Sequence, residues 1–185
     1  MNTKDIVVIG LLGSLLKSSQ TILSFLPNIE IVSLLIFIFA IRLGAKRTVY
    51  IAILYSVLNI MMWGLSPATI GYFFVWTGYA IVCSVLKRIL NTEIKVALFL
   101  GIFGIMFGSL FAIMYLPLGY SYALSYWMNG IIFDIVHAVS NFIVGLWAYK
   151  PLLSGFDKAM KVVYGNSYYN TENKKQVNRK EGFNE

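Results

Sequence analysis

This chain has few of the residues on which disulfide-bonded domains and most enzymes depend. Among 185 residues it has one cysteine, Cys83, and one histidine, His137, and charged residues make up only 12%. One cysteine excludes an intrachain disulfide and a cysteine-based zinc site. Soluble globular domains carry about 25% charged residues, so the composition argues against a soluble fold. The chain also lacks the Gly-x-x-x-x-Gly-Lys-[Ser/Thr] phosphate loop, so we expect no ATP hydrolysis by the chain itself.

Apolar residues are abundant instead, at 58% of the chain. Hydropathy predicts six spans, at roughly 6–26, 28–43, 48–65, 68–86, 94–116 and 124–149. Most of them reach the ~20 residues that cross the hydrocarbon core, whereas the second is short and follows a tight Pro27-Asn28 corner. The sequence therefore predicts an all-α integral membrane protein, a six-helix transmembrane bundle.

Basic residues are confined to alternate loops, which indicates the orientation of the bundle. They precede the first span, lie between the second and third spans, lie around the loop between the fourth and fifth spans, and follow the sixth span. These residues are Lys4, Arg42, Lys46, Arg47, Lys87, Arg88, Lys95, Lys150, Lys158 and Lys161. The other loops lack Lys and Arg. By the positive-inside rule both termini are cytoplasmic. The net charge of +7 is thus explained by topology, and we expect no nucleic-acid partner.

The chain divides into three predicted regions. Residues 1–153 form the membrane domain that binds the substrate. Residues 154–165 form an amphipathic segment at the inner membrane surface, with an apolar face that includes Phe156 and Met160. Residues 166–185 are rich in Asn, Lys and Glu, and we predict a disordered polar tail.

Three polar residues interrupt the last apolar span. Asp134, His137 and Asn141 fall on one helical face, and Trp127 continues that face towards the start of the helix. A carboxylate and an imidazole at hydrocarbon depth are costly unless they face a bundle interior or a cavity. The stripe therefore predicts a site for a polar solute inside the membrane domain.

Aromatic and amide residues on two other spans predict the walls of that site. Asn59, Trp76 and Tyr79 lie deep in the third and fourth spans, where flat rings suit a planar ligand. Trp63 and Tyr72 lie nearer the outer boundary and fit an interfacial aromatic belt equally well.

Two charged residues extend the predicted site. Lys17 lies near the middle of the first span, at a depth that matches Asp134. The two can form a structural ion pair, or one or both can meet a ligand. Glu30 lies near the outer end of the second span, where it is either an interfacial carboxylate or a group at the mouth of the pocket.

The spacing of these residues argues against a catalytic or metal site. His137 has only Asp134 at metal-ligand spacing on its helix. Ser140 lies about 100° around the helix from His137, which is unfavourable for a hydrolase. We therefore expect no enzyme activity, no metal and no cofactor.

Small residues form a further pattern. Gly10, Ser14 and Ser18 make a ridge on the first span, and Gly104 and Gly108 form a Gly-x-x-x-Gly pair in the fifth. Such strips allow close helix approach. In the fifth span they favour packing within the bundle, whereas the ridge on the first span can dock another membrane subunit.

Two segments carry a resemblance to a known family. The corner Leu26-Pro27-Asn28-Ile29-Glu30-Ile31-Val32-Ser33, and the helix Phe133-Asp134-x-x-His137-x-x-x-Asn141-Phe142 ending in Lys150-Pro151-Leu152, resemble an S component of a bacterial energy-coupling factor transporter. The resemblance covers residues 6–153. It implies a multi-pass protein of the bacterial plasma membrane that binds a vitamin or related micronutrient at the outer face. It also implies a transmembrane T component, docked at the ridge, and two cytoplasmic ATPase subunits that drive uptake.

Two other functions fit the same residues. The first is a small proton-coupled carrier or channel that uses Asp134 and His137. The second is an intramembrane enzyme. The identity of a transported substrate is not encoded in any motif of the chain, although a single histidine argues against a metal.

Overall fold

The computed structural model describes residues 2–26 and 29–165, which fold into six α-helices. They are α1 (Thr3–Ile22), α2 (Val32–Leu43), α3 (Ala45–Trp63), α4 (Pro67–Leu86), α5 (Glu93–Ala112) and α6 (Tyr120–Tyr164), with a 3-10 helix, Ile113–Leu118, before α6. The described ranges contain no strand, so the predicted all-α class is confirmed. The Pro27-Asn28 corner and the predicted polar tail, 166–185, lie outside the described residues.

Local sequence explains where the helices begin and end. Asn2 caps α1 through the backbone N–H of Asp5, whose carboxylate accepts from the Asn2 N–H in return. Ser66 and Thr69 form the equivalent box at the start of α4. Gly44 adopts a φ of +81° between α2 and α3, a conformation that other residues rarely tolerate. These signals set the starts of α1 and α4 and the break between α2 and α3.

Four helical segments of the described residues are long and apolar enough to cross a membrane. They are α1, α4, α5 together with the 3-10 helix, and α6. Their outward faces carry large apolar side chains, of which Trp147 is 82% exposed. An apolar surface of this extent suits lipid better than water. A helical membrane protein accounts for these features.

The second helix is shorter than the predicted span 28–43. It has 12 residues and is therefore about 18 Å long, against a hydrocarbon core of about 30 Å. Every residue from Val32 to Ala40 is buried, and α2 packs against α1, α3, α4 and α6. Its apolar run is thus explained by its place at the centre of the bundle, because hydropathy does not distinguish a core helix from a lipid-facing one.

Glycines allow α5 and α6 to pack closely. A Cβ added at Gly104 would lie 2.7 Å from the backbone of Ala138, and one added at Gly145 would lie 2.7 Å from the Cα of Ala97. Gly108 leaves room for the side chain of Asp134. The interpretation of the Gly104–Gly108 pair as packing within the bundle is therefore confirmed.

The last helix continues beyond the sixth predicted span. It has 45 residues, about 68 Å, and Pro151 lies inside it rather than ending it. Phe156 and Met160, on the face for which the sequence predicts contact with the membrane surface, are buried against the bundle. The Arg42 guanidinium of α2 donates two hydrogen bonds to Asp157, at 2.7 and 2.8 Å. Segment 154–164 is therefore a packed part of the bundle.

Further polar contacts hold the same end of the bundle together. The Asp5 carboxylate accepts from the Tyr164 hydroxyl at 2.9 Å and pairs with Arg47 at 3.0 Å. Lys150 pairs with Glu93 at the start of α5. The predicted basic loops thus meet at one end of the molecule, where the chain starts and α6 finishes.

Candidate functional site

A cavity of about 430 Å³ lies at the opposite end of the bundle, between the end of α1, residues 23–26 and 29–30, the end of α3 and the start of α4. We call it the Glu30 cavity. Its lining combines polar and aromatic side chains, among them Lys17, Gln20, Thr21, Glu30, Tyr55, Trp63, Thr69, Tyr72, Trp76, Phe107 and His137. Its volume falls in the range of small-molecule sites.

Glu30 and His137 form a hydrogen-bonded pair in the cavity wall. The Glu30 carboxylate lies 3.1 Å from His137 Nε2, and it also accepts from the Ser33 backbone N–H at 2.8 Å and from the Ser33 hydroxyl. These bonds join the Glu30 carboxylate, in the residues that precede α2, to His137 of α6.

Lys17 places an ammonium group in the same cavity. Its Nζ donates to Asn59 Oδ1 at 2.8 Å and to Gln20 Oε1 at 3.0 Å, and it lies 5.5 Å from the centre of the Trp63 ring. The possible ion pair between Lys17 and Asp134 does not form. Lys17 instead has neutral amide partners, which leave its positive charge available to a ligand.

Aromatic rings form one wall. The rings of Tyr72 and Trp76 are nearly parallel, with centroids 6.2 Å apart and an angle of 7° between their planes. Tyr55 packs edge-on against both rings. Phe107 packs edge-on against the His137 imidazole at 4.8 Å. Tyr72 and Trp63, which also fit an interfacial belt by sequence, both line the cavity.

Two buried nitrogen atoms of the lining have no hydrogen-bond partner among the described residues. They are Trp76 Nε1 and His137 Nδ1. Buried polar groups are rarely left unpaired, because each costs free energy comparable to a lost hydrogen bond. Both residues contribute to the cavity lining, while the two nitrogen atoms themselves are buried.

Some predicted site residues support the cavity without lining it. The Asn59 side chain accepts a hydrogen bond from Lys17 and donates one to the Tyr55 carbonyl at 2.9 Å. Asn141 donates to the Ser33 hydroxyl at 3.4 Å. Tyr79 stacks on Phe103 at 4.0 Å and donates to the Ser33 carbonyl at 3.2 Å. Its ring therefore belongs to the aromatic core and not to the lining.

Two further predicted residues lie elsewhere. Trp127 is 40% exposed and donates to the Ser109 hydroxyl at 2.9 Å, outside the Glu30 cavity. Asp134 is buried but faces a second cavity, where it accepts from the Gly108 N–H at 2.9 Å. The predicted stripe of Asp134, His137 and Asn141 is therefore turned towards the protein, but only His137 lines the Glu30 cavity.

Sequence reasoning missed several residues of the site, among them Ser33, Gln20 and Phe107. Ser33 connects Glu30, Tyr79 and Asn141 through four hydrogen bonds, yet a lone serine in an apolar run gives no signal. Gln20 follows Lys17 by three positions on α1, a spacing that predicts a contact on one helical face. Phe107 lies in an apolar span, and nothing in its neighbours marks it.

The Glu30 cavity thus offers an ammonium group, a carboxylate–imidazole pair and parallel aromatic rings within one small volume. Comparisons of the chain with protein-family models, curated proteins and solved structures give no match. The described residues contain no cluster of three His, Cys, Asp or Glu side chains arranged to hold a metal ion. Chemically, the lining suits a small molecule with a planar ring and polar substituents.

Proposed function

We propose that this chain is the substrate-binding S component of an energy-coupling factor transporter, and that it binds a vitamin or related micronutrient in the Glu30 cavity. The observation that carries the proposal is the cavity itself. A helical bundle with an apolar exterior holds Lys17, Glu30 and His137 in a pocket of about 430 Å³. Buried charges of this kind are expensive in a membrane domain, and a solute that uses them accounts for their presence.

The distribution of charge supports outward-facing binding. The basic loops lie at the end of the bundle where Arg42 meets Asp157 and Arg47 meets Asp5. The Glu30 cavity lies at the other end. If the basic end is cytoplasmic, as the positive-inside rule requires, the cavity faces the outside of the cell. The proposed location is thus the bacterial plasma membrane, which the chain crosses several times with both termini in the cytoplasm.

The lining narrows the class of substrate. The Lys17 ammonium suits a carbonyl or an anionic group, and Glu30 and His137 suit hydrogen-bonding substituents. The parallel Tyr72 and Trp76 rings give a flat apolar wall for an aromatic ring. A ring-bearing micronutrient with at least one polar substituent fits these groups.

The exposed ridge on α1 supports a partner in the membrane. Ser14 and Ser18 are exposed, and no atom lies within 4 Å of a Cβ built at Gly10. Gly13, by contrast, faces Leu54 inside the bundle. A ridge of small residues lets a second helix approach closely. Because the chain has no phosphate loop, we propose that a T component docks here and that two cytoplasmic ATPases supply the energy.

Native mass spectrometry of the purified full chain tests the proposal directly. We expect a bound small molecule, because a high-affinity binding subunit retains its ligand through purification. Trp76→Ala should reduce its retention, since Trp76 lines the cavity. Trp147→Ala is the matched control, because Trp147 lies on the apolar exterior, and it should retain the ligand.

Reconstitution in vesicles tests the transport step. Uptake of the identified molecule should require ATP, the T component and both ATPases. Uptake by the chain alone, driven by a proton gradient and lost in Asp134→Asn, would instead establish the carrier. A chain that binds nothing, with equal spectra for the parent and Trp76→Ala, would refute a binding subunit.

A further inference from the structure

A second cavity, of about 600 Å³, lies between α5, the 3-10 helix and the first half of α6. We call it the Asp134 cavity. Five aromatic side chains contribute to its lining: Phe107, Tyr115, Tyr122, Tyr126 and Phe133. It is distinct from the Glu30 cavity, because Phe107 is the one residue that lines both. The proposed function does not use this space.

The carboxylate in this cavity has no ion-pair partner among the described residues. Asp134 is only 6% exposed, and one of its oxygens accepts from the Gly108 N–H. Among the described residues, no Lys, Arg or His lies within ion-pair distance of it. His137, one helical turn further on, directs Nε2 to Glu30. A carboxylate removed from water in this way needs a positive charge or a proton to offset the lost hydration.

The walls of the cavity are suited to a particular kind of cation. The rings of Tyr115 and Tyr126 are stacked, with centroids 4.4 Å apart and an angle of 20° between their planes. Aromatic faces attract alkylated ammonium groups through the ring quadrupole and pack against their alkyl groups. Asp134 is the one acidic residue of the lining, and the described residues contain no group of three His, Cys, Asp or Glu side chains placed to hold a metal ion.

We infer that the Asp134 cavity binds an organic ammonium group, with Asp134 as its counter-ion and the tyrosine rings around its alkyl substituents. Two sources can present this chemistry, a soluble amine or the headgroup of an ammonium-bearing lipid. Tyr122 is exposed at the edge of the cavity, so the space is open to the surroundings of the bundle. The inference is independent of any ligand in the Glu30 cavity.

Saturation-transfer NMR with choline tests the inference. The full chain in an uncharged sugar detergent should transfer saturation to the choline methyl groups. The uncharged isostere, in which a tert-butyl group replaces the trimethylammonium group, should bind at least tenfold more weakly. Asp134→Asn should weaken choline binding at least tenfold, while its amide oxygen can still accept from the Gly108 N–H. Asp157→Asn is the matched control at the other end of the bundle, and it should bind as the parent does.

A second arm distinguishes the two sources. In nanodiscs of phosphatidylcholine a lipid headgroup would compete, so the choline signal should fall relative to phosphatidylglycerol nanodiscs. Equal signals would assign the site to a soluble amine. Equal binding of choline and its isostere, or no choline signal in detergent and in phosphatidylglycerol, would overturn the inference.

If Asp134→Asn does not fold, Tyr126→Leu supplies the same test, because it removes one ring of the stacked pair and keeps the carboxylate. Choline binding that is unchanged in a folded Tyr126→Leu or Asp134→Asn variant would show that this cavity is not the site. Ligand retained in the Glu30 cavity, read by mass spectrometry, is unaffected by either result.

Discussion

Gly104→Ala should destabilise the bundle, because the α5–α6 contact has no space for one more carbon atom. The added Cβ would lie 2.7 Å from both the N and the Cα of Ala138 and 2.8 Å from the carbonyl carbon of His137. All three are backbone atoms of a packed helix, so a side-chain rotation cannot relieve the clash. Overpacking of this kind costs about 1–3 kcal/mol. The higher helix propensity of alanine returns about 1 kcal/mol, which leaves a net loss of up to about 2 kcal/mol relative to the parent.

The control for this prediction is Gly78→Ala in α4, where no atom lies within 4 Å of the added Cβ. That variant gains the propensity without the clash and should be as stable as the parent or slightly more so. Thermal unfolding in detergent measures both. Both variants gain the same propensity, so the clash of about 1–3 kcal/mol should make the Gly104 variant melt roughly 2–12 °C below the Gly78 variant. Equal melting temperatures for the two variants would refute the close α5–α6 packing.

Three other predictions concern charge and surface. Glu30→Gln should lower the free energy of unfolding by about 1–3 kcal/mol and reduce ligand retention, because His137 loses its carboxylate partner. The control is Glu93→Gln, which removes a partly exposed pair with Lys150 and should lower the free energy of unfolding by less than about 1 kcal/mol in the same melting assay. Ser14→Trp should abolish ATP-driven uptake and leave ligand binding intact, because a bulky residue keeps a second helix from the ridge. The control Val139→Trp, on the outer face of α6, should preserve both activities. Loss of ligand binding in Ser14→Trp would place the ridge inside the fold. Arg42→Gln should speed amide exchange in 154–164, since Asp157 loses its two hydrogen bonds, and unchanged exchange there would mean that apolar packing alone holds this segment.

Hydropathy and periodicity predict the helix order and the inward-facing stripe, but they do not distinguish a core helix from a membrane span. The apolar run at 28–43 illustrates this limit. Its composition fits a span, yet the helix covers only Val32–Leu43 and is enclosed by its neighbours. An all-apolar helix is stable in either environment, so only the tertiary arrangement decides between them.

The site shows a second limit, which is that a helical face gives a direction but not the neighbours. Asp134, His137 and Asn141 share a face and are all buried, as their spacing predicts. From 134 to 141 the face extends about 10 Å along the axis, far enough to meet three different surroundings. Phe107 of α5 lies between the two cavities, so Asp134 faces one and His137 the other.

The partners of His137 and Lys17 show why the rest of the site requires the structure. His137 bonds to Glu30, 107 positions away, and Lys17 bonds to Asn59, 42 positions away. Lys17 and Asp134 lie at the same predicted depth in the membrane, so the sequence allows an ion pair between them. Depth alone does not specify which helices are adjacent. In the bundle α1 packs on α3, and Asp134 lies between α6 and α5. The cavity therefore acquires its positive charge from α1 and its carboxylate from the residues before α2. The Asp134 carboxylate faces the second cavity instead.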